Sequence, residues 1–195
     1  MIDEKSSSSA RKPRADAARN REHIIDVARE VFAEKGDTST FDDIVKRSGL
    51  GVGTLYRHFP NRDALFEAVY FSEIEKLGLS AQELGLTLSP LEALRTWMLQ
   101  FVDLMATKYS MRESFAALMN SESYDTKASS EVIMDSMKLL ADKAVKNGDI
   151  RIDFDPVDLL RALGGVANSG SEPNWQGNAR RMVDVLLQGV KIPHA

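Results

Sequence analysis

Thr54, Tyr56, Arg57 and His58 place a hydroxyl, a phenol, a guanidinium and an imidazole within one short stretch. Leu55 and Phe59 stand four apart in the same stretch, so if it is helical they share one face and must be the ones that point to a core. The four donors then face outward, and groups of these types suit the phosphate oxygens of a nucleic-acid backbone. Gly51 and Gly53, just ahead, have no side chain to hold another backbone away. Val52 between them can offer a base edge only an apolar contact, as to a thymine methyl. The cluster alone leaves a blander reading open, because a Tyr or His on a helix surface is usually only that.

Other chemistries find no support in the residues. The 195-residue chain has no cysteine, which removes disulfides, thiolate metal sites and cysteine nucleophiles. Its three histidines, His23, His58 and His194, share no ligand spacing, so no metal site is expected. There is no phosphate-binding glycine loop, dinucleotide fingerprint or Ser-His-Asp arrangement, so neither an enzyme nor a cofactor is expected. No apolar run of about 18 residues is present to span a bilayer, and a membrane partner is not expected. The expected location is cytoplasmic.

The elements that would hold the donor cluster are legible from spacing. Ile24, Val27, Ala28, Val31 and Phe32 recur at helical intervals from Asp16 to Lys35 and stop at Gly36. Thr40 followed three residues later by Asp43 has the form of a capping box, opening a short helix that carries Phe41, Ile44 and Val45 and ends at Gly49. A second short helix spans Val52–Phe59, and Pro60-Asn61 ends it and starts a long one that runs into the eighties, interrupted at Gly78. Two short helices joined by a glycine-containing turn form a helix-turn-helix, whose second helix can enter the major groove.

Charge divides along the chain in the same sense. Residues 1–62 hold 12 Lys/Arg against 10 Asp/Glu, and residues 63–195 hold 13 against 19, which accounts for the net −4. The basic residues are densest from Arg11 to Arg21, Arg11 and Arg14 included. Such a run is more often a solvated tail than a DNA arm, so it supports the reading without establishing it. Residues 1–15, Ser-rich and interrupted by Pro13, are read as a flexible basic arm. Residues 16–62 are read as the helix-turn-helix domain and residues 63–195 as a second, helical domain.

The run from Phe41 to Leu65, FDDIVKRSGLGVGTLYRHFPNRDAL, closely resembles the DNA-binding signature of the TetR family of transcriptional regulators. The resemblance extends from about Ile24 to Val69. It implies a helix-turn-helix with Thr54, Tyr56 and His58 on phosphates, and Arg62, where the family usually has Lys, at the start of the fourth helix. Base-edge contact would fall to Thr40 and to the first residues of the third helix. Val45 and Ser48 stand where the family usually has Ala, and Asp42 where some members place a DNA-facing residue. These departures bear on sequence preference more than on binding.

Beyond residue 63 the chain also reads as helical, giving an all-α protein of about nine helices. Ser89-Pro90-Leu91-Glu92 and Asp155-Pro156-Val157-Asp158 are helix starts, with a cap, a proline and an acid in order. Asp149–Phe154 alternates like a strand but is short and without a partner. The segments around Leu91–Trp97, Gly148–Asp158 and Arg180–Gly189 look like a TetR subgroup of actinobacterial type. The family places a small-molecule effector among the central helices, and Trp97, Phe101, Met105, Phe115, Leu118 and Met119 are the candidates to line its pocket, although core is the commoner fate of any one of them. It pairs two subunits through the last two helices, for which Leu159, Leu163, Gly164, Met182 and Leu186 are candidates. The expected protein is a ligand-responsive repressor that binds a near-palindromic double-stranded operator as a homodimer. The alternatives are an activator, or a protein of the same fold that works through protein contacts.

Overall fold

The computed structural model describes residues 11–121, 126–168 and 174–193. Among them the chain forms nine α-helices: α1 (Arg11–Lys35), α2 (Phe41–Ser48), α3 (Val52–His58), α4 (Arg62–Thr87), α5 (Pro90–Ser110), α6 (Arg112–Met119), α7 (Thr126–Lys146), α8 (Val157–Asn168) and α9 (Trp175–Val190), with a 3-10 turn at Gly36–Thr38. The all-α reading holds. The segment that alternates like a strand makes a single antiparallel bridge, Ile150 to Lys191, flanked by backbone bonds from Arg151 to Val190 and from Ile192 to Asp149.

Two elements differ from their expected bounds. Helix α1 begins at Arg11, ahead of Asp16, and takes in part of the stretch read as an arm. Pro13 is tolerated because it lies in the first turn, where a missing N–H leaves no internal bond unmade. Helix α4 runs through Gly78 without a break. A Cβ at Gly78 would sit 2.7 Å from Val132 Cγ1, so the residue permits close approach of α7 where an interruption was expected.

The chain divides into two compact units. The first reaches to Val69 and also includes Ser110–Leu118; the second holds Tyr70–Tyr109 and the chain from Met119 onward. In the first unit Ile24, Ala28, Phe32, Ile44, Leu55, Leu65 and Phe66 are buried together with Met111 from the segment that returns late in the sequence. Burial of these large apolar side chains is the main force that holds α1 to α4 around the two short helices, which are too short to be stable alone.

In the second unit Trp97 is fully buried and its indole N–H donates to the Leu77 carbonyl at 2.9 Å, so its one polar group is satisfied. Helix α9 is tied to α5 by Arg95–Asp184 at 2.6 Å and by Arg180 and Gln176 on Asp103. No helix among the described residues is long and apolar enough to cross a membrane.

Candidate nucleic-acid interface

The two short helices are set by local chemistry. Thr40 caps α2: its hydroxyl accepts the Asp43 N–H at 3.2 Å, while the Asp43 carboxylate accepts the Thr40 N–H at 3.0 Å. Lys35 also donates to Asp43 at 2.6 Å. Lys35 first, and then Thr40, pull the Asp43 carboxyl down to about 2. The far end of α2 closes at Gly49, whose φ of 67° lies in the left-handed region that a side chain would disfavour. Arg47 forks onto Glu34 at 2.8 and 2.6 Å and His23 Nε2 lies 3.0 Å from the Ser48 carbonyl, fastening the C-terminal end of α2 to α1 as Lys35 fastens its N-terminal end.

Helix α3 presents the donors as the spacing requires. Leu55 and Phe59 are buried, whereas Val52 is 51% and Tyr56 53% exposed. Gly51, Gly53 and Arg57 are also exposed; Thr54 and His58 are partly covered. The Tyr56 ring meets Phe41 of α2 edge-on at 5.1 Å, which orients the phenol without burying it. Arg21 of α1 lies over the Phe59 ring at 5.2 Å from its centre.

A Cβ added at Gly51 or Gly53 would meet nothing within 4 Å, and neither residue has a positive φ. The protein's own packing therefore does not require glycine there. The open face next to a row of donors is suited to close approach of another backbone. Thr40 is exposed at the start of α2, where base-edge contact was expected. Arg11 and Arg14 lie in the first turn of α1, and their side chains fall outside the described residues.

Arg62 is the first residue of α4, the position the resemblance implied. Its side chain is 25% exposed, and its guanidinium faces inward. It donates to Ser114 Oγ at 2.7 Å, to the Gly36 carbonyl at 3.2 Å and to Ser39 Oγ at 3.2 Å. Asn61 caps α4 by accepting the Ala64 N–H at 2.8 Å. Residues more than 50 positions apart meet here, which helical spacing could not reveal.

The six pocket candidates divide between the two units. Phe115 and Leu118 belong to the first unit and the other four to the second. Trp97 and Met105 are core, Phe101 stacks on Trp97 at 6.2 Å, and Met119 is exposed. A groove of about 680 Å³ opens in the second unit between α4 and α7, lined among others by Phe71, Ile74, Leu79, Val132 and Leu139 and by none of the six. Among the described residues its charged lining is Glu75 and Asp135. An apolar stripe looks the same in sequence whether it fills a core or walls a groove.

The dimer candidates divide as well. Leu159 and Leu163 are buried within the subunit. Met182 and Leu186 are half-buried on α9 with Val185, 61% exposed, beside them. A Cβ at Gly164 or Gly189 would meet nothing within 4 Å.

Among the described residues, a capped short helix, a left-handed glycine turn and a second short helix bearing exposed donors, within an all-α chain, define a helix-turn-helix DNA-binding protein. Residues 24–69 match the bacterial regulatory proteins of the tetR family, and residues 89–192 match the C-terminal domain of SbtR-like transcriptional regulators. The chain belongs to the TetR family and is a DNA-binding transcriptional regulator. Among curated relatives it is 34% identical over 76 residues to an HTH-type transcriptional regulator of Staphylococcus aureus (strain MRSA252), covering 38% of this chain and 40% of that one. It is 30% identical over 108 residues to the HTH-type transcriptional regulator AcrR of Shigella flexneri, covering 53% of this chain and 49% of that one. The matches thus span about half or less of these relatives' length. A solved TetR transcriptional regulator of Streptomyces coelicolor superposes with a TM-score of 0.78 at 36% identity, covering 90% of this chain and 99% of that one. A TetR regulatory protein of Mycobacterium vanbaalenii superposes with a TM-score of 0.71 at 28% identity, covering 92% and 99%.

Proposed function

We propose that the protein is a ligand-responsive repressor that binds a near-palindromic operator as a homodimer. The observation that carries the reading is the outer face of α3, where Tyr56, Arg57 and partly covered Thr54 and His58 adjoin glycines that the fold itself leaves free. Two such faces related by a two-fold axis would read half-sites about one helical turn, ~34 Å, or somewhat more apart.

The α9 stripe supports the dimer. Met182, Val185, Leu186 and Gly189 recur at i, i+3, i+4 and i+7 and so share one helix face, which the subunit leaves partly or wholly uncovered. Leu159 and Leu163 would then lie beneath the interface, and Gly164 could admit a close helix.

The groove between α4 and α7 supports an effector site. Its walls are mainly apolar, and among the described residues its charged lining is the acidic pair Glu75 and Asp135, which favours a neutral or cationic apolar ligand over an anion. Such a ligand releases DNA by preferring an arrangement of the dimer that misplaces the recognition helices, and linkage requires DNA to weaken its binding equally, by ~1–3 kcal/mol of coupling in typical cases.

Selection from random duplexes followed by transcription in vitro tests the reading. An enriched palindrome bound by two chains, with transcription falling when the site overlaps a promoter, is the expected result. An asymmetric site bound by one chain removes the dimer, and rising transcription makes the protein an activator.

A further inference from the structure

We propose that Arg62 is a positioning residue that pins the first turn of α6 to the helix-turn-helix, and that it does not serve as a phosphate contact. The proposal rests on DNA binding by α3 and is independent of whether the regulator represses or of what its effector is.

Arg62 opens α4, yet its guanidinium gathers groups from well before and well after it in the chain. Besides Ser114, Ser39 and the Gly36 carbonyl, its Nη2 lies 3.5 Å from Met111 Sδ and 3.6 Å from Asp37 Oδ1, and its plane sits over the Phe32 ring at 5.8 Å. A planar fork with five N–H donors fits several acceptors at once, which the point charge of a lysine cannot do. Ser39, Met111 and Ser114 are buried, while Arg62 and Asp37 each keep a quarter of their side chain exposed, so the guanidinium is held mainly by the protein's own groups.

Asp37 completes it from the other side. Its Oδ2 accepts the Glu113 N–H at 3.1 Å, supplying a partner for one of the first-turn amides that a helix leaves unsatisfied. Gly36 has a φ of 54°, and a Cβ there would fall 2.4 Å from the Ser110 carbonyl oxygen. A fixed backbone shape, a remote cap, a buried methionine and a forked cation therefore converge on residues 110–114. The segment that holds this turn, Ser110–Leu118, is continuous in the chain with the second unit on both sides, at Tyr109 and at Met119. Displacement of α6 would be felt at Arg62 and hence at the start of α4, next to the donor face of α3.

Hydrogen exchange and salt-dependent DNA binding of the full chain test this. In Arg62→Gln the amides of residues 113–118 should exchange at least about tenfold faster than in the wild type, with α7 unchanged, because charge-assisted bonds that close this site are lost. The slope of log affinity against log salt for a selected duplex should be unchanged in the same variant, since a phosphate contact would take about one unit off it. Ser114→Ala removes one acceptor at the pin, cannot touch a phosphate contact, and gives the exchange readout should Arg62→Gln fail to fold. Unaltered exchange at 113–118, or a slope reduced by about one in Arg62→Gln, would overturn the proposal.

Discussion

Gly53→Ala should make the protein more stable and a poorer DNA binder at once. The residue lies inside α3, its φ is not positive, and an added Cβ meets nothing within 4 Å. Alanine is favoured over glycine in a helix by about 1 kcal/mol. With no clash to offset that gain, thermal unfolding should rise by roughly 2–4 °C for a chain of this size. The same methyl occupies the open face on which another backbone would approach, and the loss expected there is of the order of one good contact, about 1–3 kcal/mol or roughly five- to 150-fold in affinity. Differential scanning calorimetry and a fluorescence titration of the selected duplex, both at one stated salt concentration, read the two signs separately. A variant that binds DNA as well as the wild type would refute the argument that these glycines face DNA, and one that is destabilised would refute the claim of open space.

The remaining predictions use other parts of the molecule. Thr40→Ala removes the α2 cap and should cost about 1 kcal/mol of stability in denaturant unfolding. The Asp43 carboxyl is held at about 2, below its ordinary value of 3.8, so its contribution to folding is complete above about pH 4 and is lost as pH falls towards 2; NMR titration of Asp43 that finds an ordinary value would contradict the cap geometry. Val185→Glu places a charge on the exposed α9 stripe and should convert a dimer to monomer in sedimentation equilibrium, whereas an unchanged mass would place the interface elsewhere. For the groove, tetraphenylphosphonium should raise the melting temperature more than the equally large tetraphenylborate, and Glu75→Gln with Asp135→Asn should remove the difference; equal shifts would remove charge as a criterion, and no shift from either would argue against the groove as a site.

What could be read from the sequence was what local rules govern. Thr40 with Asp43, Gly49, and Leu55 with Phe59 each report on partners within four residues, and such local signals are enough to set the two short helices and the outward donors. The Ser89-Pro90 start appears as the first residue of α5 at Pro90, with Ser89 Oγ bonded to Glu92 at 2.6 Å. Arg62 escaped that reasoning because its partners at Gly36, Ser39 and Ser114 lie 26, 23 and 52 residues away. The inclusion of residues 110–118 in the DNA-binding unit escaped for the same reason. Trp97, Leu159 and Leu163 show a different limit: periodicity finds the apolar face of a helix, but it does not distinguish a face spent on the subunit's own core from one offered to a ligand or a second chain.

The claim on which the rest depends is that the outer face of α3 binds DNA. Affinity for the selected duplex should be measured across a salt series for the wild type, Tyr56→Ala and Arg57→Ala, with circular dichroism to confirm that each variant keeps its helices. The account predicts that both variants bind more weakly and that Arg57→Ala lowers the salt slope by about one. Wild-type affinity and slope in both folded variants would contradict it.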